Sequence, residues 1–171
     1  MNAVAVAVPV SVESAAPVRI ARERSGDAAA IDALVLAAFG PGRFAKTAER
    51  LREAAQLAAG FSAYEGERLI GSVRLWSIMA GEARSVFLGP IAVDASSRRG
   101  GLGAELVQAC VEEARAMKLD GVLLIGDPPY FSRFGFVAAP DAVFSGPVDR
   151  RRIMWLPITD VAPVGPVHPV A

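Results

Sequence analysis

The spacing of apolar residues changes several times along the chain, and each spacing predicts a different element. Val18–Arg22 alternates between apolar and charged positions like a half-exposed strand, and the alanine-rich run after Gly26-Asp27 has the period of a helix. A second helix is predicted over residues 44–58. Its charged side chains are interpreted as a solvated face and not as a binding surface. They are Glu49, Arg50, Arg52 and Glu53.

The middle of the chain has strand-like periodicity. Residues 61–64 and 69–78 flank the turn Glu65-Gly66-Glu67 and predict a hairpin. Residues 86–93 are almost uninterruptedly apolar, so we expect a strand that is buried on both faces and distorted at Gly89-Pro90. A bulge there leaves strand donors and acceptors without neighbours, so an extended ligand can occupy them.

The second half predicts a parallel crossover. From 101 to 117 apolar residues recur every four positions, which indicates one amphipathic helix, and the short apolar strand Gly121–Ile125 follows. Strand, helix and strand in this order predict a partly parallel sheet. Asp127-Pro128-Pro129 has the form of a capped helix start, and 136–139 and 153–158 are predicted strands. The chain is therefore predicted to be mixed α/β.

The two ends lack these patterns. Residues 1–16 are predicted to be a flexible N-terminal tail, and 160–171 a proline-rich C-terminal tail, because proline blocks both helix and central strand. A chain of 171 residues with 53% hydrophobic content supplies one substantial core and gives no reason to invoke two. We predict a single domain over residues 17–159.

Charge and cysteine content exclude several classes of protein. Eighteen basic residues balance 18 acidic ones, so no net field draws the chain to nucleic acid or to an anionic membrane, and neither is an expected partner. One cysteine cannot form an intramolecular disulfide, and one histidine argues against a zinc site of several Cys and His ligands, so no metal is expected. The short apolar opening run makes a poor signal peptide. We expect a cytoplasmic protein.

One stretch carries the most chemical information. The apolar run Ile91-Ala92-Val93 leads through Asp94 into Arg98-Arg99-Gly100-Gly101-Leu102-Gly103, which reads as a strand, a basic glycine-dense turn and a helix start. Glycines let backbone N–H groups crowd around an oxygen, and the helix adds unpaired donors and the positive end of its dipole. This arrangement favours a phosphate.

The common nucleotide motifs do not fit this turn. A P-loop needs Lys-Ser or Lys-Thr after its last glycine, where Ala104-Glu105 stands, and a dinucleotide fingerprint meets Leu106 where its third glycine belongs. Taken by itself, the glycine pair is equally compatible with a tight strand-to-helix turn that binds nothing.

Two motifs in order give a more specific interpretation. Arg98-x-x-Gly101-x-Gly103 resembles the acyl-coenzyme A signature of the GCN5-related N-acetyltransferase (GNAT) superfamily, and the run from Tyr130 to Phe136 resembles its later aromatic motif. The sequence around Gly89-Pro90 and Gly126-Asp127-Pro128 is similar to that of a bacterial branch of predicted acetyltransferases. The resemblance spans residues 18–158. It implies the acyl-CoA N-acyltransferase fold, a mixed central sheet splayed at the cofactor site with flanking helices.

The resemblance also implies a cofactor and its site. Acetyl-CoA would enter between the strand ending at Val93 and the strand ending near Gly126, with its pyrophosphate on the glycine turn and its pantetheine paired with the first strand. The backbone N–H of Ile91 would polarise the thioester carbonyl. The implied cofactor-binding residues are Ile91, Ala92, Val93, Arg98, Arg99, Gly100, Gly101, Leu102, Gly103 and Phe131.

The implied chemistry is acetyl transfer to a primary amine of an unidentified acceptor. Relatives often use a tyrosine, four residues before the motif glycine, to protonate the departing thiolate, and that position is Phe131 here. Tyr130 is the candidate acid if its hydroxyl turns toward the sulfur, and a core tyrosine otherwise. Positions that hold a general base in relatives are Phe87 and Gly89, which do not titrate. A non-catalytic acyl-CoA sensor or interaction module, and a vestigial pocket, are the alternatives.

Other residues have structural interpretations. Cys110 lies on the apolar stripe of its helix and is expected to be buried, and Trp76 and Trp155 are expected in the core. The run from Arg150 to Arg152 is interpreted as an exposed turn, with attraction of an acidic substrate as the alternative. The resemblance implies that the loop over 39–47 selects the acceptor, and a homodimer is compatible with the composition.

Overall fold

The fold is a mixed sheet of nine strands with helices on both faces, described over residues 16–97 and 99–171 of a computed structural model. Its strands are β1 (Val18–Arg22), β2 (Leu57–Glu65), β3 (Arg68–Ala80), β4 (Ala83–Val93), β5 (Gly121–Ile125), β6 (Val137–Ala138), β7 (Ala142–Val143), β8 (Ile153–Pro157) and β9 (Gly165–Pro169). Its α-helices are α1 (Ala28–Phe39), α2 (Thr47–Ala54), α3 (Leu102–Ala116) and α4 (Pro128–Phe131). Within the described ranges, no helix has the length and apolar character needed to cross a membrane.

The strand order is β1-β2-β3-β4-β5-β8-β6, and β9 extends the sheet beside β3 and β7. Neighbours from β1 to β4 are antiparallel, β4 and β5 are parallel with α3 between them in sequence, and β5 and β8 are antiparallel. The predicted hairpin, the crossover and the mixed α/β class are confirmed.

Alternation along β3 separates two cores. Val73 and Leu75 point to the face that α3 covers, where they pack with Leu106 and Cys110. The opposite face of the sheet is covered by α1, whose Ile31 packs near Ala92 of β4. The thiol of Cys110 is buried as predicted, and burial raises its pKa, which removes it as a nucleophile at neutral pH.

The second helix is shorter than predicted. α2 ends at Ala54, and the backbone of Ala55 is extended, so Leu57 already pairs with Trp76 of β3. The alanine-rich sequence after residue 54 has no strand preference of its own, and its pairing with β3 overrides the helical tendency of alanine.

The C-terminal segment contains a strand where a tail was predicted. Gly165–Pro169 pairs antiparallel with Ile78–Ala80 of β3, and Val167 is 4% exposed. Proline is accepted at this margin of the sheet because its carbonyl can still accept a hydrogen bond; Gly81 N–H donates to the carbonyl of Pro166 at 2.9 Å. Residues 1–15 of the predicted N-terminal tail lie outside the described residues.

A charge placed at Val167 tests the packing of β9. Val167→Asp is expected to lower the free energy of unfolding by about 3 kcal/mol, because it buries an unpaired carboxylate. Val164→Asp, at a position that is 60% exposed, is the matched control and is expected to change it by less than about 0.5 kcal/mol. Urea unfolding followed by circular dichroism measures both, and equal effects would mean that this segment is a tail.

Candidate functional site

The sheet opens between β4 and β5. The two strands pair over residues 85–87 of β4 and 121–123 of β5. Beyond these residues β4 remains paired with β3, and β5 remains paired with β8 along its whole length. Pairing between the two strands stops while each keeps its outer neighbour, so their carboxyl ends leave a wedge, as the predicted splayed sheet requires.

A β-bulge in β4 lies at the wedge. Arg74 of β3 stands opposite two residues of β4, Gly89 and Pro90, which confirms the predicted distortion. Trp76 Nε1 donates a hydrogen bond of 2.8 Å to the carbonyl oxygen of Gly89. Trp76 is therefore a half-buried residue that holds the bulge, whereas Trp155 lies in the core as expected.

A cavity of about 370 Å³ occupies the wedge, and we call it the wedge cavity. Its strand walls are mainly apolar, with Leu88, Gly89, Pro90 and Ile91 from β4, Leu124 and Ile125 from β5, and Gly126 directly after β5. The remaining walls come from the end of α1, from α2 and the segment before it, from α4 and its cap, and from the 3₁₀ helix that precedes β8. These residues are Phe39, Arg43, Lys46, Ala48, Arg52, Asp127, Phe131 and Arg152. A slot between two separated strand edges suits an extended chain that carries amide groups.

The glycine turn forms the start of α3. Gly101 caps this helix with φ 80°, a left-handed conformation that residues with a Cβ rarely adopt. The first N–H groups of an α-helix have no partner within it and form an anion site with the helix dipole. Arg99 lies at this end and pairs with Glu105 at 2.5 Å. Arg98, the second predicted charge, lies outside the described residues.

The two adjacent aromatic candidates lie in different places. Phe131 lines the wedge cavity, and its ring is so close to Gly126 that a Cβ there would come within 2.3 Å of it. The hydroxyl of Tyr130 lies 3.2 Å from the position of a Cβ on Gly103, beside the first turn of α3. The carboxylate of Asp127 caps the short helix by accepting from Tyr130 N–H at 3.3 Å. The acid role of Tyr130 stays a prediction.

The interpretation of α2 as carrying a solvated charged face is wrong for Glu49 and Arg52. Their side chains are 11% and 15% exposed, and one oxygen of Glu49 accepts from Arg52 at 3.3 Å and from Arg43 at 2.8 Å. Burial lowers the pKa of Arg52 to about 10, while Glu49 raises it, so the guanidinium is charged at neutral pH. A Cβ on Gly89 would lie 2.9 Å from this guanidinium, which places Arg52 against the bulge.

A signal for these inward charges exists in the sequence but is weak. Glu49 and Arg52 are three residues apart, and buried Leu51 lies between them, so the apolar stripe and the charged pair overlap on a helix of eight residues. The pattern alone does not tell whether the pair faces solvent or a cavity.

A second cavity, of about 300 Å³, adjoins the first on the α1 side of the sheet, and we call it the α1 cavity. Arg43, Arg52 and Pro90 line both cavities and therefore form their common boundary. The other residues that line the α1 cavity are Ile31, Asp32, Val35, Glu49, Glu53, Ala55, Ser72, Arg74 and Trp76. The predicted acceptor loop thus borders both cavities through Arg43.

One of the three consecutive arginines reaches the wedge. Arg152 Nε donates to the carbonyl of Gly126 at 3.2 Å, and the side chain lines the wedge cavity. Exposed Arg151 instead pairs with Asp149, and this hydrogen bond holds the pKa of Asp149 below its usual range. The predicted exposed turn is confirmed as a 3₁₀ helix over Arg150–Arg152.

Carboxylates are scarce around the wedge cavity. Among the described residues that line it, Asp127 is the one acidic side chain, and its position is fixed as a helix cap. Glu82 lies in the turn before β4, at the opposite end of that strand from the wedge. Glu49 lines the adjoining α1 cavity, and the sequence pattern did not identify it as an inward-facing acidic residue.

Known proteins share this architecture. The sequence profile of the Acetyltransferase (GNAT) family matches residues 29–136. Over 116 residues the chain is 34% identical to the uncharacterized N-acetyltransferase YhbS of Escherichia coli K12, which corresponds to 66% of this chain and 70% of the relative.

Solved structures agree with the sequence relatives. YhbS from Escherichia coli in complex with CoA superposes with a TM-score of 0.77 and 29% identity over 93% of each chain. A GNAT family acetyltransferase from Brucella melitensis in complex with acetyl-CoA superposes with a TM-score of 0.71 and 25% identity, over 91% of this chain and 97% of that one.

Removing the charge of Glu49 tests the inward-facing cluster. Glu49→Gln keeps the shape of the side chain but leaves two guanidiniums facing each other, so the free energy of unfolding is expected to fall by about 2 kcal/mol. Glu53→Gln, on the exposed side of the same helix, is expected to change it by less than about 0.5 kcal/mol. Urea denaturation measures both variants. Equal changes in the free energy of unfolding would mean that the Glu49 side chain lies on a solvated face.

Proposed function

Because the chain belongs to the GNAT family of acetyltransferases, we propose that it transfers an acetyl group from acetyl-CoA directly to a primary amine of a small-molecule or peptide acceptor. The observation that carries this proposal is the wedge cavity, an apolar slot between two separated strands that ends at a charged wall. The relatives crystallised with CoA and with acetyl-CoA support the choice of donor.

The residues present fit this donor. The pyrophosphate would lie on the N–H groups from Arg99 to Gly103, where the left-handed cap and the helix dipole favour an anion. The pantetheine would run along Ile91–Val93, in the place that a neighbouring strand leaves open. Phe131 would pack against its thiol end, because this ring lines the wedge cavity.

The reaction exchanges a C–S bond for a C–N bond and moves one proton from nitrogen to sulfur. The neutral amine nitrogen attacks the thioester carbonyl carbon, a C–N bond forms, the C–S bond breaks, and the nitrogen loses a proton while the CoA thiolate gains one. The N–H of Ile91 would stabilise the oxyanion of the tetrahedral intermediate. Positioning the amine beside the thioester supplies much of the rate, and water can carry the protons where no side chain does.

A non-catalytic acyl-CoA sensor is the second candidate. The observation that favours it is Phe131, whose ring occupies the position of the usual proton donor and has no hydroxyl. Calorimetric titration with acetyl-CoA, with ATP and NAD as controls, tests the donor site common to both candidates. An amine screen on the same protein then separates an enzyme from a sensor, because a sensor binds acetyl-CoA without releasing CoA in the presence of amines.

The glycine turn is tested by two valine variants. Gly101→Val forces a β-branched residue into the left-handed region, and Gly103→Val crowds the Tyr130 hydroxyl 3.2 Å away, so each is expected to weaken acetyl-CoA binding by about tenfold or more. Gly26→Val, where a Cβ meets open space, is the control and should bind normally. Calorimetry provides the affinities. Normal binding by both turn variants would contradict a phosphate site here.

Tyr130→Phe separates two roles for this hydroxyl. If its position beside Gly103 serves a hydrogen bond to the bound phosphate, acetyl-CoA affinity falls about tenfold with kcat nearly unchanged. If Tyr130 is the acid, kcat falls by about a hundredfold or more while affinity is kept. Calorimetry and a thiol-release assay distinguish the two results.

Phe131→Tyr is the converse variant. It places a phenol in the wedge cavity at the position where relatives carry the donor, and kcat is expected to rise by about tenfold if thiolate protonation limits turnover. The same thiol-release assay measures it. A lower kcat would indicate that the phenyl ring itself is needed for packing.

A further inference from the structure

The α1 cavity adjoins the proposed acyl site and has a positively charged boundary with it. We propose that this cavity binds the acceptor, and that the acceptor is a small primary amine carrying an anionic group, a carboxylate or a phosphate, within a few bonds of its nitrogen. This inference rests on the proposed function. It adds the chemical class of the acceptor, which neither the family nor its relatives specify.

The charge balance of the boundary favours an anion. Arg43 and Arg52 both donate to one oxygen of Glu49, at 2.8 Å and 3.3 Å, so two guanidiniums share one carboxylate. Arg74, on the wall of the same cavity, is already matched by Glu23 through two hydrogen bonds of 2.9 Å. The lining of the α1 cavity as a whole is balanced, with three arginines and three carboxylates, so the excess positive charge is confined to the boundary. It belongs to Arg43 and Arg52, whose side chains are each 15% exposed.

Two buried donors on this cavity also lack partners. Arg52 Nε and Ser72 Oγ make no hydrogen bond within the described part of the chain, and Ser72 is 1% exposed. Both residues line the α1 cavity. A buried donor without an acceptor is costly, and guanidinium groups bind carboxylate and phosphate oxygens in a favourable planar geometry. An anion on the guanidinium of Arg52 would supply an acceptor that this part of the fold lacks.

The position of Arg52 links the anion to the reaction. Its guanidinium lies against Gly89, and Pro90 lines both cavities, so an anion on Arg52 lies next to the bulge where the thioester would end. An amine a few bonds from that anion then reaches the carbonyl carbon. The exposed rim of the α1 cavity carries Asp32 and Glu53, which disfavours further negative charge on the rest of the acceptor.

Arg43 and Arg52 also line the wedge cavity, so the acyl group of the donor is a second source from which the anionic group can come. A dicarboxylic donor such as succinyl-CoA would bring a carboxylate to Arg43 through the wedge. Ser72 and Arg74 favour the acceptor, because they line the α1 cavity and lie on the β3 side of the bulge. The experiment includes an arm for the donor.

The test is a titration of the full chain saturated with CoA. The probes are the common amino acids that carry a primary amine, the α-carboxamide of each, and 1-aminoethylphosphonate with ethylamine as the partner that lacks the anionic group. At least one anionic probe is expected to bind at least tenfold more tightly than the partner that lacks its anionic group. Arg43→Gln should reduce this preference to less than about threefold, whereas Arg115→Gln, exposed on α3, should keep it.

Arg52→Lys provides a second variant in case Arg43→Gln does not fold. It keeps the charge and removes the planar fork, so the anionic probe should bind about fivefold more weakly. Thermal unfolding of each variant reports folding. If the phosphonate binds and the carboxylates do not, the anion is a phosphate and the inference is supported in that form.

Three results with the amine probes would each overturn the inference. They are equal binding of probes with and without the anionic group, no binding of any probe to a protein that binds CoA, and a preference unchanged in both arginine variants. A fourth result concerns the donor. If succinyl-CoA binds at least tenfold more tightly than acetyl-CoA, and Arg43→Gln abolishes this difference but not the preference among the amine probes, the carboxylate belongs to the donor and the inference is overturned. Failure of the proposed function gives a separate result, since CoA itself would not bind.

Discussion

The separation of β4 from β5 is the constraint on which the candidate site depends. Parallel pairing stops after residue 87, and beyond it β4 stays paired with β3 and β5 with β8. The bulge at Gly89-Pro90 bends β4 at this point. Phe131, packed against Gly126, lies at the end of β5. The result is a slot with strand edges on both sides, which a continuous sheet cannot provide.

Local charge matters more here than net charge. The whole chain is neutral, yet the wedge cavity is lined by Arg43, Lys46, Arg52 and Arg152 against the single carboxylate of Asp127 in the described lining. Solvent screens the charges of Arg43 and Arg52 least, because these side chains are mostly buried. Charges in a low dielectric interact over longer distances, so these two arginines contribute most to the local field. A balanced composition therefore says little about what a cleft attracts.

The strand, turn and helix around residues 91–103 present two kinds of backbone group. The turn offers backbone donors whose position depends on a left-handed glycine, and the strand offers a free edge. Both are backbone features, and the Tyr130 hydroxyl beside Gly103 lies next to them. The boundary between the two cavities is the reverse, since Arg43, Glu49 and Arg52 interact there through side-chain charge.

The sequence by itself determined the local elements and the motifs that resemble the family. The alternation of β3, the four-residue spacing of α3 and the Asp127 cap are set by neighbours in the chain, so pattern and propensity were sufficient. Only the tertiary structure decided that 55–58 leave the helix, that Gly165–Pro169 join the sheet, and that Glu49 and Arg52 face a cavity. Those outcomes depend on contacts between residues far apart in sequence, with β3 in particular. Such contacts produce no periodic pattern of apolar residues in the sequence.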